Sequence, residues 1–120
     1  MARDYRKIIA WQRGHELTLD IYRVTQDFPA EEKFGLTNQL RRAAYSVPAN
    51  IAEGAGRGTH KDYLRFLNIA LGSLNEVDYF LLLASELHYL DEKNYEIFKN
   101  KTTGTFSALY GLIKAVEKEA

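Results

Sequence analysis

The chain has 120 residues, 46% of them hydrophobic, no cysteine, and 16 Lys and Arg balanced by 16 Asp and Glu. That length and apolar content suit one folded domain, spanning 1–120, with a core of its own. The composition excludes a disulfide framework, thiolate chemistry and a strongly basic nucleic-acid module.

The zero net charge is unevenly spread, because residues 1–61 hold ten Lys and Arg against seven Asp and Glu while the remainder holds the reverse excess. Folding can gather such an imbalance into a local basic patch. No apolar run is long enough for a signal peptide or a membrane span, so a soluble, cytoplasmic protein is expected.

Residues 4–27 predict the first helix, with Gly14, Leu17, Ile21, Val24 and Phe28 on one stripe. Phe28-Pro29 ends it, since proline disfavours helical geometry in the residue before it. A second helix is expected to start between Glu31 and Gly35, where Glu31 and Glu32 suit a helix N-terminus, and to run to Glu53 or Ala55. Leu36, Leu40, Ala43, Ala44, Val47, Ile51 and Ala55 form its apolar face. Pro48 lies within it and removes the hydrogen bond to the Ala44 carbonyl, which predicts a bend. Gly54, Gly56 and Gly58 then break the helix.

Thr59, with Asp62 three residues on, predicts the N-cap of a third helix. This helix carries two apolar stripes, Tyr63, Leu67, Ala70, Leu74, Val77, Leu81 and Ala84 on one and Phe66, Ile69, Phe80, Leu83, Leu87 and Leu90 on the other. Burial on two sides exceeds what one bundle interior offers, so an oligomer is expected. Asp91 can cap a fourth helix that reaches the C-terminus. Short turns between four helices imply an all-α, antiparallel up-down-up-down four-helix bundle. A reversal near Arg57 would set Arg42 beside Ser73 and Glu76, Ala43 beside Gly72, and Asn50 beside Arg65.

Opposite the apolar face of the second helix runs a polar seam of Gln39, Arg42, Ser46, Asn50, Glu53 and Arg57. It reads as an inter-helix network completed by Ser73 and Glu76, with Arg42 held by Glu76, because buried polar groups must be paired. A sharper reading makes Arg41, Arg42 and Arg57 phosphate contacts, with Lys61 beside a helix N-terminus and Tyr45 able to stack on a base. Both readings can hold for different members of the set.

The turn from Gly54 to Lys61 matches neither the dinucleotide fingerprint nor the P-loop. A di-iron site needs Glu-x-x-His, and the residues three before His15, His60 and His88 are Gln12, Arg57 and Ser85. No metal, cofactor or catalytic residue is assigned. Glu16, Glu53, Glu76 and Asp78 lack a placed histidine or nucleophile, so an enzyme is the least favoured class.

Several motifs together resemble a known family: Glu32-x-Phe34-Gly35-Leu36, Gln39-Leu40-Arg41-Arg42-Ala43, Ser46-Val47-Pro48-Ala49-Asn50-Ile51-Ala52-Glu53-Gly54 and Ala70-x-Gly72-Ser73-x-x-Glu76. They resemble the four-helix-bundle proteins encoded by intervening sequences in bacterial 23S ribosomal RNA genes, a family similar to the accessory variability determinant of diversity-generating retroelements. The resemblance covers nearly the whole chain. It implies assembly into a ring-like homo-oligomer, a homopentamer, and a role associated with ribosomes, with RNA or DNA, or with a nucleic-acid-handling protein. The expected function is thus a non-enzymatic oligomeric adaptor, with a protein-only scaffold as the alternative.

Overall fold

Among residues 3–119, which the computed structural model describes, the chain forms four α-helices, three short 3-10 turns and no strand. The first predicted helix divides at both ends. The Arg6 N–H donates to the Asp4 carboxylate (3.1 Å), closing a 3-10 turn over Tyr5–Lys7, and Ile8 is extended. Aspartate competes for nearby backbone donors in this way, so α1 begins only afterwards and spans Ile9–Val24. It passes into a second 3-10 turn, Thr25–Asp27, and Phe28 is extended before Pro29, as proline requires.

Helix α2 covers Leu36–Ala55 and starts later than its acidic residues suggested. Glu31 and Glu32 lie in a 3-10 turn, Ala30–Glu32, and Gly35 is non-helical. Glu32 still serves the helix N-terminus, because its Oε1 accepts from the Leu36 N–H at 3.0 Å. Helix α3, His60–Glu86, is capped as expected by Thr59, which accepts from the Asp62 N–H (3.1 Å). It ends through His88 in the left-handed region (φ 63°), with the Tyr89 N–H returning to the Ala84 carbonyl at 2.9 Å. Helix α4, Glu92–Glu119, begins at Asp91, which accepts from the Asn94 N–H (2.7 Å).

α2 packs on α1 and α3, and α4 packs on α1 and α3. The four helices enclose one apolar core, whose fully buried members include Ile21, Leu40, Ile51, Tyr63, Leu74 and Leu109. The molecule measures 45 × 24 × 19 Å. Contacts far apart in sequence define its two ends: Arg3 with Ala55 and His60 with Glu119 at one, Glu32 with Tyr89 at the other.

The α2–α3 register differs from the expected one by about one helical turn. Ser46 meets Ser73, and Gly54 meets Tyr63 and Phe66, because the chain reverses nearer Thr59 than Arg57. Of the second stripe on α3, Leu90 is buried and Phe66, Phe80 and Leu83 are half-buried, while Ile69 (43%) and Leu87 (44%) are exposed. Having neighbours on two sides lets α3 bury more than one face within a single chain. α3 is also long and apolar enough to cross a membrane by composition, with a mean hydropathy of 1.2 over an 18-residue window, but here it lies between α2 and α4.

Candidate nucleic-acid interface

The middle of the α2 seam is a chain of hydrogen bonds. The Asn50 amide donates to the Ser46 carbonyl (2.8 Å) and to Ser46 Oγ (3.0 Å), and the Ser73 hydroxyl of α3 donates to the same Oγ at 2.9 Å. Ser46 and Ser73 therefore join the two helices as an inter-helix network should. Asn50 bonds within its own helix and does not reach Arg65.

Next to this chain opens a polar cleft of about 280 Å³, lined by Gln39, Arg42, Ala43, Ser46, Ser73 and Glu76. Arg42 and Glu76 share it, yet the expected ion pair between them is absent: neither side chain has a hydrogen-bond or ionic partner among the described residues. Both are exposed, and in water two such flexible side chains gain little by pairing.

The five candidate contact residues do not form one surface. Arg41 is committed within the chain: its Nε donates to Thr25 Oγ1 (2.8 Å), a terminal nitrogen donates to the Tyr22 carbonyl (3.2 Å), and the guanidinium lies 4.6 Å from the centre of the Tyr22 ring. It ties the end of α1 to α2. Arg42 and the exposed Tyr45 sit midway along α2, while Arg57 and Lys61 stand at the end marked by Ala55 and His60, roughly 20 Å away at 1.5 Å per residue.

That end is the basic one. Arg57 makes a 3.5 Å ion pair with Glu53 and Arg65 one of 3.5 Å with Asp62, and the two guanidiniums share the Phe66 ring at 4.7 and 4.4 Å from its centre. Lys61 is exposed in the first turn of α3, where free backbone N–H groups add positive potential. Arg6 and Lys7 approach from the N-terminal turn. The opposite end carries Asp27, Glu31, Glu32, Asp91 and Glu92, so the imbalance read along the sequence becomes one along the long axis of the molecule. There the Leu36 N–H and the Tyr89 hydroxyl both bond the Glu32 carboxylate and hold its pKa below the usual value.

Two side chains join distant parts of the chain without any signal in the sequence. Arg3 donates to the Ala55 carbonyl (3.3 Å), satisfying the C-terminus of α2, and stacks 4.4 Å from the centre of the Tyr63 ring. Thr18 of α1 donates to the Ala44 carbonyl of α2 at 3.0 Å. Neither contact has a signal in local spacing. Among the described residues no three His, Cys, Asp or Glu side chains converge as a metal site would require.

The family model for the 23S rRNA-intervening sequence protein matches residues 6–111. A crystal structure of a protein of unknown function from the S23 ribosomal protein family of Bacteroides thetaiotaomicron is similar, with a TM-score of 0.81 and 27% identity over 88% of this chain and 99% of that one. No curated protein matches the chain. With nearly its whole length matched, and with four helices arranged as in that relative, the chain belongs to the 23S rRNA-intervening sequence protein family.

Proposed function

We propose that this protein is a non-enzymatic adaptor that binds RNA, or docks an RNA-handling protein, through the basic end of an antiparallel up-down-up-down bundle. The observation that carries this reading is the basic excess at one end, where Arg3, Arg6, Lys7, Arg57, Lys61 and Arg65 outnumber Asp4, Glu53, Asp62 and Glu119, with the acidic excess at the other. A neutral chain can attract a polyanion when its charges are separated in this way. The family's link to ribosomal RNA agrees with it. Kinship with the accessory determinant of diversity-generating retroelements, and action in the cytoplasm, belong to the same proposal.

The test is a titration of labelled single-stranded RNA at low and near-physiological salt. Affinity should fall with salt, each neutralised phosphate adding about 0.7 to the log–log slope, and Lys61→Gln with Arg65→Gln should flatten that slope. Salt-insensitive binding would sink the reading. A complete lack of binding would favour a protein-only scaffold, for which the satisfied Ser46, Asn50 and Ser73 seam already speaks.

The proposal includes a homopentameric ring, which would repeat a weak basic patch and raise its avidity. Its support is a row of small, exposed residues on α4, Thr103, Ser107, Gly111 and Ala115, spaced by four, with nothing within 4 Å of a Cβ added at Gly111. Such a row admits a close helix neighbour. Ser107→Trp should return the assembly to single chains in sedimentation velocity; an unchanged assembly would place the subunit contact elsewhere.

A further inference from the structure

We propose that the α2–α3 cleft is a recognition pocket for one unpaired guanine base, an inference that rests on the RNA-binding reading and gives it a base specificity. The cleft holds about 280 Å³, room for a planar base in place of several waters. Its walls carry three side chains that the fold leaves free among the described residues: the Arg42 guanidinium, the Glu76 carboxylate and the Gln39 amide. At the floor, Ser46 Oγ accepts from both Ser73 and Asn50, which leaves its own proton to donate.

The chemistry of these groups selects among the bases. Guanine presents two acceptors, O6 and N7, on one edge and two donors, N1–H and N2–H₂, on the adjoining one. A planar guanidinium takes the acceptor pair bidentately, and a carboxylate takes the donor pair. Adenine and uracil present neither pair and cytosine lacks the donor pair, so each would leave Arg42 or Glu76 without its match. The opposite charges facing the cleft also disfavour a simple phosphate site, since Glu76 repels an anion there. Tyr45 (47% exposed) and Tyr79 (56% exposed) follow Arg42 and Glu76 by three residues on their helices, which makes them surface neighbours that can stack on the flanking bases of a single strand.

The deciding measurement is binding of the four free ribonucleoside 5′-monophosphates to the full chain, followed by amide chemical-shift changes or calorimetry. GMP should bind at least about tenfold more tightly than AMP, CMP or UMP, the scale of one good bidentate pair. Glu76→Gln should abolish the preference, and Arg42→Lys, which keeps the charge but loses the fork, should weaken GMP binding. Both residues are exposed and unpartnered, so these variants keep the fold, and unchanged thermal melts verify it. Equal binding of all four nucleotides, a preference that survives Glu76→Gln, or no GMP binding overturns the pocket. Salt-dependent RNA binding without a guanine preference sinks the pocket alone, while GMP preference without RNA binding keeps the pocket and removes the adaptor reading.

Discussion

Gly54→Ala should destabilise the protein by about 1–2 kcal/mol, although alanine is the better helix former by about 1 kcal/mol. A Cβ at position 54 would stand 2.9 Å from the Cβ of Phe66, 3.0 Å from Cδ1 of Tyr63 and 3.2 Å from the Tyr63 carbonyl oxygen. None of these atoms is the free end of a flexible side chain. The carbonyl belongs to the first turn of α3, and Tyr63 is only 1% exposed, so relief requires α3 to move away from α2. The same motion would loosen the Arg3 stack on Tyr63 and the Arg57–Phe66 contact that shape the basic end. Gly72→Ala is the matched control. It too lies within a helix, yet nothing stands within 4 Å of its added Cβ, so it should stabilise by about 0.5–1 kcal/mol. Thermal melts of the two variants should therefore shift in opposite directions. A shift of the same sign in both would mean that the close approach at Gly54 is not a constraint.

The close approach also illustrates what the sequence could disclose. Helix identities and caps were legible because their signals are local: Thr59 and Asp91 bond to backbone donors three residues away, and the apolar stripes need only the 3.6-residue period. The α2–α3 register was legible only to within a turn, because it depends on how many residues the reversal consumes. The site fared less well. Arg41 sits among the same basic residues as Arg42, yet Thr25 and the Tyr22 carbonyl claim it from another helix. Whether a charged side chain is free or committed is decided by neighbours from elsewhere in the chain, and spacing carries no record of them. Arg3 finds its acceptor 52 residues away for the same reason. The separation of charge between the two ends likewise emerges only when the turns fold the four segments beside one another.

Thr18→Val should cost about 1–3 kcal/mol, the penalty of leaving a buried acceptor unpaired. Pro48 has no N–H, so the Ala44 carbonyl four residues before it loses its helical donor. Ala44 is 1% exposed, and solvent cannot take the donor's place. The hydroxyl of Thr18, reaching across from α1, lies 3.0 Å from that carbonyl and 2.8 Å from the Gly14 carbonyl of its own helix. Gly14 permits the approach: a Cβ there would be 3.2 Å from Val47 and 3.5 Å from the proline ring. Gly14, Thr18 and Pro48 thus act as one device, in which the proline opens a hydrogen-bonding vacancy on α2 and α1 docks into it. Valine matches threonine in shape but has no proton to donate. The decisive measurement is the double-mutant cycle with Pro48→Ala. Alanine restores an N–H at position 48, so the cost of Thr18→Val should largely vanish in that background, giving a coupling of at least about 1 kcal/mol. Additivity within about 0.5 kcal/mol would show that the Ala44 carbonyl does not depend on Thr18. A strong coupling would mean that Pro48, in the middle of the helix that carries the seam, fixes where α1 sits and through it where the basic N-terminal turn meets Arg57 and Lys61.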